Sequence, residues 1–147
     1  MINKFDEEYA FLSNFYECPV EYNGIKYKNS EAAFHAQKTL DEEERKQFAA
    51  LDPSAAKKLG RKITLRSDWE EVKTKIMYEI CLAKFSQNED LKTKLLATGD
   101  EYLEEGNYWH DNTWGNCSCE KCKGITGENR LGTILMEIRS DLKEGLN

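Results

Sequence analysis

A chain of 147 residues suits one domain at roughly 100–200 residues each, so a single domain over residues 1–147 is expected. Lys and Arg number 21 against 27 Asp and Glu, giving a formal charge of −6, a poor counter-ion for a phosphate backbone. Extended nucleic-acid binding is thereby disfavoured, while a basic pocket for one or two phosphates is still allowed. The longest apolar runs, Tyr9–Leu12, Phe48–Leu51 and Ile80–Ala83, are four residues each, far below the about 20 that a membrane span needs. Lys4, Asp6, Glu7 and Glu8 interrupt the stretch where a signal peptide would place its apolar region. Five cysteines without an export signal suit a reducing compartment, read here as the cytoplasm. Aromatic residues make up 11% of the chain, more than disordered chains carry, so it is expected to fold.

The N-terminal third begins in extended form. Val20 and Tyr22, then Ile25 and Tyr27, alternate around Asn23-Gly24, the dipeptide of a type I′ hairpin. Ser30 is the expected cap of a helix that holds Glu31 in its first turn and runs to about Lys38. Asp41-Glu42-Glu43-Glu44 has capping-box spacing for a second helix ending near Leu51. Asp52-Pro53 opens a short third helix that Gly60 stops. Ser67-Asp68-Trp69-Glu70 reads as another capping box, opening the longest helix, where Val72, Ile76, Ile80 and Ala83 form the apolar stripe. Asn88 caps a further helix to Thr98, closed by Gly99.

From Asp100 to Gly127 helical periodicity disappears in a stretch rich in Gly, Asn, Asp, Trp and Cys. Long irregular loops in compact domains are usually functional or disordered, and Trp109 and Trp114 favour function. Leu131, Ile134, Leu135, Ile138 and Leu142 then mark the buried face of a last helix. The fold class expected is α+β, mainly α-helical, with an N-terminal β-hairpin and a long irregular loop before the C-terminal helix.

Polar residues outside the helical periodicity gather around Phe11–Phe15, Ser30–Lys38, Arg61–Trp69 and Tyr108–Asn129. Carboxylates, amides, indoles and a few cations in one set suit a small, polar, ring-bearing ligand. Phe15, Trp69 and Trp114 offer ring faces, although Trp69 at a helix start equally suits core packing. Asn14 and Asn129 can read ring edges or ribose hydroxyls, or cap backbone. Arg61 and Arg66 are candidate phosphate clamps through their forked guanidinium groups. Lys38, two helical turns after Glu31, suits a phosphate contact or attack on a ring-opened sugar aldehyde as a Schiff-base nucleophile.

These segments carry a resemblance. Phe11-Leu12-Ser13-Asn14-Phe15-Tyr16, Ser30-Glu31-Ala32-Ala33-Phe34 through Gln37-Lys38, Leu59-Gly60-Arg61, Arg66-Ser67-Asp68-Trp69, Lys84-Phe85, Leu96-Ala97-Thr98-Gly99-Asp100, Asp111-Asn112-Thr113-Trp114-Gly115 and Gly127-Glu128-Asn129-Arg130-Leu131-Gly132 resemble the NADAR/YbiA-like family. The blocks stand in the family's order and span roughly residues 5–142. The resemblance implies a compact, mostly helical YbiA-like domain and an N-glycosidase. Family members cut the bond between ribose phosphate and nitrogen in early riboflavin-pathway intermediates, or remove ADP-ribose from modified guanine.

Such a reaction leaves an oxocarbenium-like ribose, which needs a carboxylate and a positioned water. The resemblance assigns Glu31 as the first carboxylate, although a first-turn acid also favours the helix dipole. Asp111, in Asp-x-x-Trp-Gly, is the second, as general acid/base or ribose-hydroxyl acceptor; its ordinary alternative is an Asx turn.

Cys117-Ser118-Cys119-Glu120-Lys121-Cys122 stands outside the catalytic account. With His110 it supplies four donors for a structural zinc ion, while reduced loop thiols and regulatory oxidation are open alternatives. Cys18 is expected at a strand edge and Cys81 in the core. The leading reading is an N-glycoside hydrolase that requires no cofactor and acts on a small ribose-phosphate compound. The alternatives are hydrolysis of ADP-ribosyl-guanine at a single modified nucleotide, and a non-catalytic ADP-ribose-binding module.

Overall fold

Asn23 and Gly24, at φ 50° and 83°, turn strand β1 (Glu17–Tyr22) into β2 (Ile25–Asn29), with Tyr22 opposite Ile25 and Val20 opposite Tyr27. Left-handed backbone at both central positions matches the twist of the flanking strands, which is why Asn-Gly serves here. The computed structural model describes residues 1–145 and divides into two compact units, Asn14–Lys92 and Met1–Ser13 with the chain from Thr93 onward.

In the unit Asn14–Lys92, helix α1 (Ser30–Ala36) packs against both strands, α2 (Glu42–Lys46), α3 (Pro53–Leu59) and α4 (Trp69–Gln87). Ala32, Ala33 and Ala36 are fully buried on α1, and their small side chains let several elements approach one short helix. Val20, Tyr27, Phe48, Ile80 and Phe85 complete the centre of this core. The Gln87 amide pairs with both backbone groups of Glu21 at 2.8 Å, covering the β1 edge as a neighbouring strand would.

Several expected boundaries shift. A 3₁₀ turn, Glu7–Leu12, precedes the expected extended hairpin. The cap of α1 is Asn29, whose Oδ1 accepts from Ala32 N at 2.7 Å, so Ser30 is the first helical residue. Asp41 caps α2 through Glu43 N, but Glu44 binds the Thr39 hydroxyl instead of closing a box, and α2 ends at Lys46. Asp52 and Pro53 open α3 as expected, with Ala55 N donating to Asp52 Oδ1 at 2.8 Å. Asp68 precedes α4 without a capping bond, because Arg66 holds its carboxylate. The buried face of α4 is Trp69, Ile76, Met77, Ile80, Cys81, Lys84 and Phe85, leaving Val72 and Ala83 half-buried. Cys18 lies near the start of β1, in a two-stranded sheet, buried on the same face as Val20.

In the other unit, Ile2 bridges to Leu103, and two short parallel strands, β3 (Gly106–Asn107) and β4 (Asn116–Cys117), sit within the irregular stretch. Helix α5 (Glu89–Ala97) contains the division between the units, and α6 (Arg130–Lys143) buries Leu131, Ile134, Leu135, Ile138 and Leu142 as its periodicity requires. The architecture is α+β and mainly helical. Among the described residues no helix is long and apolar enough to cross a membrane.

Candidate functional site

Asn29 starts α1 so that Glu31 falls in its first turn, with its backbone N–H donating to Asn14 O at 3.1 Å. Glu31 Oε2 lies 2.8 Å from His35 Nε2, and the two side chains are only 13% and 10% exposed. His35 Nδ1 is buried and has no hydrogen-bond partner among the described residues. A carboxylate oxygen only accepts, so Nε2 is the donor of this bond. A Cβ at Gly60 would come within 2.6 Å of His35 Nδ1, while its backbone is right-handed at φ −59°. Gly60 is thus needed for the close approach of the imidazole rather than for an unusual turn. Sequence reading missed His35; its spacing of four from Glu31 was the available signal.

Lys38 stands beyond the end of α1, not on its face: the helix stops at Ala36, and Lys38 N bonds to His35 O at 3.2 Å. Its Nζ is 6.0 Å from the centre of the Trp69 ring, which leans on Phe34 at 5.0 Å. Burial pushes the Lys38 ammonium below its ordinary range, Glu31 opposes this, and Arg61, Lys73 and Lys57 add to it. Glu31, Lys38 and Arg61 therefore share one electrostatic neighbourhood. Trp69 is buried, and its packing against Phe34 makes it a wall of this region.

Arg66 does not stand ready as a phosphate clamp. Its guanidinium already forks onto Asp68, at 2.6 and 3.1 Å, and its backbone N–H donates to Lys38 O at 2.7 Å. The pairing raises the Arg66 pKa and holds the Asp68 carboxyl below the usual range. Arg61 is exposed, as is Phe15. Asn14 is buried, its amide set between Met77 Sδ at 3.4 Å and Cys81 Sγ at 3.8 Å.

In the other unit, Asp111 Oδ1 accepts from Thr113 N at 3.1 Å and Trp114 N at 2.9 Å. This is an Asx-type turn, with one carboxylate oxygen committed to backbone. It presents Trp114 half-buried rather than fully exposed. Asn129 does not offer its amide to a ligand. Its Oδ1 accepts from Glu105 N at 3.0 Å, and its Nδ2 donates to Leu103 O at 2.9 Å and Tyr102 Oη at 3.3 Å. The residue braces the start of α6 from a left-handed backbone at φ 48°.

His110, Cys117, Cys119 and Cys122 are brought together, with their ligand atoms all within 4.8 Å of one another. The set can hold a metal ion. Burial raises the Cys117 thiol pKa, but bonds from Cys119 and His110 outweigh it and bring it below the ordinary range. Burial and bonding to Cys117 push Cys122 up to about 11. Beside this loop a cleft of about 230 Å³ is lined in part by Phe5, Tyr108 and Trp109 with Asp6, Glu104 and Glu105. Trp109, read from the sequence as favouring a functional loop, lines it, whereas none of the candidate catalytic, substrate-binding or metal residues does.

The NADAR domain family model matches residues 2–143. N-glycosidase YbiA of Escherichia coli (strain K12) is 36% identical over 143 residues, covering 92% of this chain and 83% of its own. An N-glycosidase of Nostoc punctiforme is 35% identical over 147 residues, covering 96% of this chain and 90% of its own. A riboflavin biosynthesis protein of Vibrio vulnificus is 37% identical over 142 residues, 95% of this chain but 37% of that longer protein. The NMR structure of the E. coli protein YbiA superposes with a TM-score of 0.82 at 34% identity, covering 99% of this chain and 88% of that one. By sequence and by fold, this chain belongs to the NADAR domain family.

Proposed function

We propose that the protein is an N-glycosidase that cleaves the bond between a ribose anomeric carbon and a nitrogen, with a small ribose-phosphate compound as substrate. The observation that carries this reading is the Glu31–His35 contact of 2.8 Å beside Lys38. A carboxylate oriented by an imidazole N–H, in a largely buried setting, stabilises positive charge at the sugar carbon as the nitrogen departs. Trp69 and Phe34 wall the region, and Arg61 supplies positive charge for a phosphate. Burial lowers the Lys38 pKa, which makes its amine easier to free of a proton for attack. On ring opening C1 becomes an imine to the leaving nitrogen; the Lys38 amine adds to C1, its proton passes to that nitrogen, the bond to it breaks as the imine to Lys38 forms, and water then returns the aldehyde and the amine.

Within its own unit, Asp111, with one carboxylate oxygen uncommitted among the described residues, is assigned as a sugar-hydroxyl acceptor, and Trp114 as a stacking ring. The family match runs from residue 2 to 143, which supports reading residues 1–147 as one functional domain. The His110, Cys117, Cys119 and Cys122 donors are assigned a structural zinc ion, which thiolate and imidazole ligands favour. None of the five cysteines forms a disulfide, which supports placing the chain in a reducing, cytoplasmic setting.

The test is to incubate the purified protein with ribose-phosphate N-glycosides and with ADP-ribosyl-guanine DNA, measuring released ribose phosphate and restored guanine. Release from the first class supports the reading, and restored guanine alone moves the substrate to modified nucleic acid. ADP-ribose binding without either product replaces the enzyme with a binding module. Glu31→Gln is expected to abolish turnover and keep ligand affinity; an unchanged rate removes Glu31 from the mechanism.

A further inference from the structure

His110, Cys117, Cys119 and Cys122 bracket the turn that carries Asp111 and Trp114, and their geometry suits a shared cation better than a set of thiol hydrogen bonds. His110 Nδ1 lies 3.2 Å from Cys119 Sγ and 3.5 Å from Cys122 Sγ. A ring nitrogen has one in-plane lone pair, so it cannot accept well from two thiols at once. One ion held by the nitrogen and the sulfurs uses that lone pair once. Zinc bonds of about 2.3 Å to sulfur and about 2.0 Å to nitrogen place neighbouring tetrahedral ligands about 3.5–3.8 Å apart, near the two nitrogen–sulfur spacings, in a set that lies within 4.8 Å overall.

The surroundings agree. Backbone N–H groups of His110 and Cys119 point at Cys117 Sγ, at 3.3 and 3.5 Å, and Asn112 Nδ2 points at Cys122 Sγ at 3.3 Å. Donors aimed at sulfur favour thiolates and orient them as ligands. Asn112 also accepts from Cys117 N at 2.9 Å through its Oδ1, and its backbone oxygen accepts from Glu128 N at 2.8 Å. One residue inside the turn is therefore bonded to two of the four donors, and His110 adjoins Asp111 on the other side.

We propose that a zinc ion at this cluster clamps the Asp111–Trp114 turn, which makes the four donors and Asn112 positioning residues for two groups assigned to the substrate. The inference rests on the zinc assignment above, and its test separates the two. Metal content is measured on protein purified without chelator, and Co²⁺ replacement is followed by its thiolate charge-transfer absorption. Amide hydrogen exchange at Thr113 and Trp114, both donors to Asp111, is compared with and without metal, with Ile138 in α6 as the reference.

One metal per chain, with exchange at the two amides at least tenfold slower when it is bound and Ile138 unchanged, is the expected result. One metal per chain with equal exchange in both forms overturns the clamp and leaves the metal site standing. Failure to take up Zn²⁺ or Co²⁺ at all overturns both. Should the metal-free chain unfold, Asn112→Ala decides: it is expected to keep one metal and lose the protection, and retained protection in that variant overturns the clamp.

Discussion

His35 donates from Nε2 to Glu31 Oε2 across 2.8 Å, one turn along the same helix, and nothing among the described residues engages its other nitrogen. The imidazole is therefore held by packing on one side and spends its single hydrogen bond on the carboxylate proposed to meet the reacting carbon. His35→Ala is expected to lower kcat about 5–30-fold, the worth of about 1–2 kcal/mol of orientation, while His35→Gln restores most of it through its amide donor. Steady-state kinetics on a ribose-phosphate N-glycoside measure both. Equal losses in the two variants would mean that His35 acts by filling space.

Gly60→Ala tests the contact from the other side. The added methyl would sit 2.6 Å from His35 Nδ1 and 3.2 Å from Ala56 O, so the ring or α3 has to move. The expected loss is about 1–3 kcal/mol in urea unfolding, as for an overpacked core. Combined with His35→Ala, the cost should shrink, because the clash is with the removed ring. Full additivity of the two changes would place the strain elsewhere.

Much of this architecture is legible in the chain, and the misses have physical causes. Asn23-Gly24 and the α6 stripe are read correctly because each has few other solutions: two positive φ values in one case, five apolar residues on one helical face in the other. Asp52 caps α3 as expected, whereas Asp68 does not cap α4, since a charged fork from Arg66 outcompetes a backbone N–H for the same carboxylate. Lys84 escaped the stripe on α4 because periodicity counts it as polar, yet its stem is buried with Nζ 5.1 Å from the Phe85 ring. The Asn129 amide resembles a ligand reader in sequence, but its three bonds go to Glu105, Leu103 and Tyr102, partners that no local pattern reveals. Glu31, Lys38 and Trp69 stand out as candidates through the family resemblance together with their types, whereas the His35–Gly60 contact depends on how α1 and α3 pack.

Lys38 gives a pH test. Burial lowers its folded-state pKa below the ordinary 10.5. Between the folded value and 10.5 the unfolded chain binds more protons than the folded one, so stability from this residue rises with pH across that window. Below the window the buried ammonium is a fixed cost. Lys38→Met is therefore expected to be more stable than the parent at neutral pH, with the difference shrinking as pH climbs toward 10.5. Urea unfolding at several pH values reads it, and Lys84, also lowered by burial, is common to both proteins and cancels. The same variant should lose turnover, and borohydride should trap a sugar adduct on the parent alone. A constant stability difference across the pH range would show that Lys38 is not desolvated on folding.

Arg61 and Arg66 are expected to part company when each is replaced by alanine. Arg66 spends its guanidinium on Asp68 and reaches Gln37 O at 3.5 Å, so alanine loosens the segment that follows α1 while the backbone bond to Lys38 O is kept. The carboxylate of Asp68 is partly exposed, so the expected loss of unfolding stability is small. Arg61 is exposed, and its replacement should change stability by less than about 0.5 kcal/mol. Affinity for ribose 5-phosphate, measured by calorimetry, should then fall about tenfold for Arg61→Ala, as expected for the loss of one charge-assisted phosphate contact. For Arg66→Ala it should stay within about threefold of the parent, because a guanidinium already paired has no fork left for the phosphate. A reversal, with Arg66 controlling affinity and Arg61 inert, would mean that Asp68 releases its partner when substrate arrives, and the phosphate would have to be placed at the start of α4.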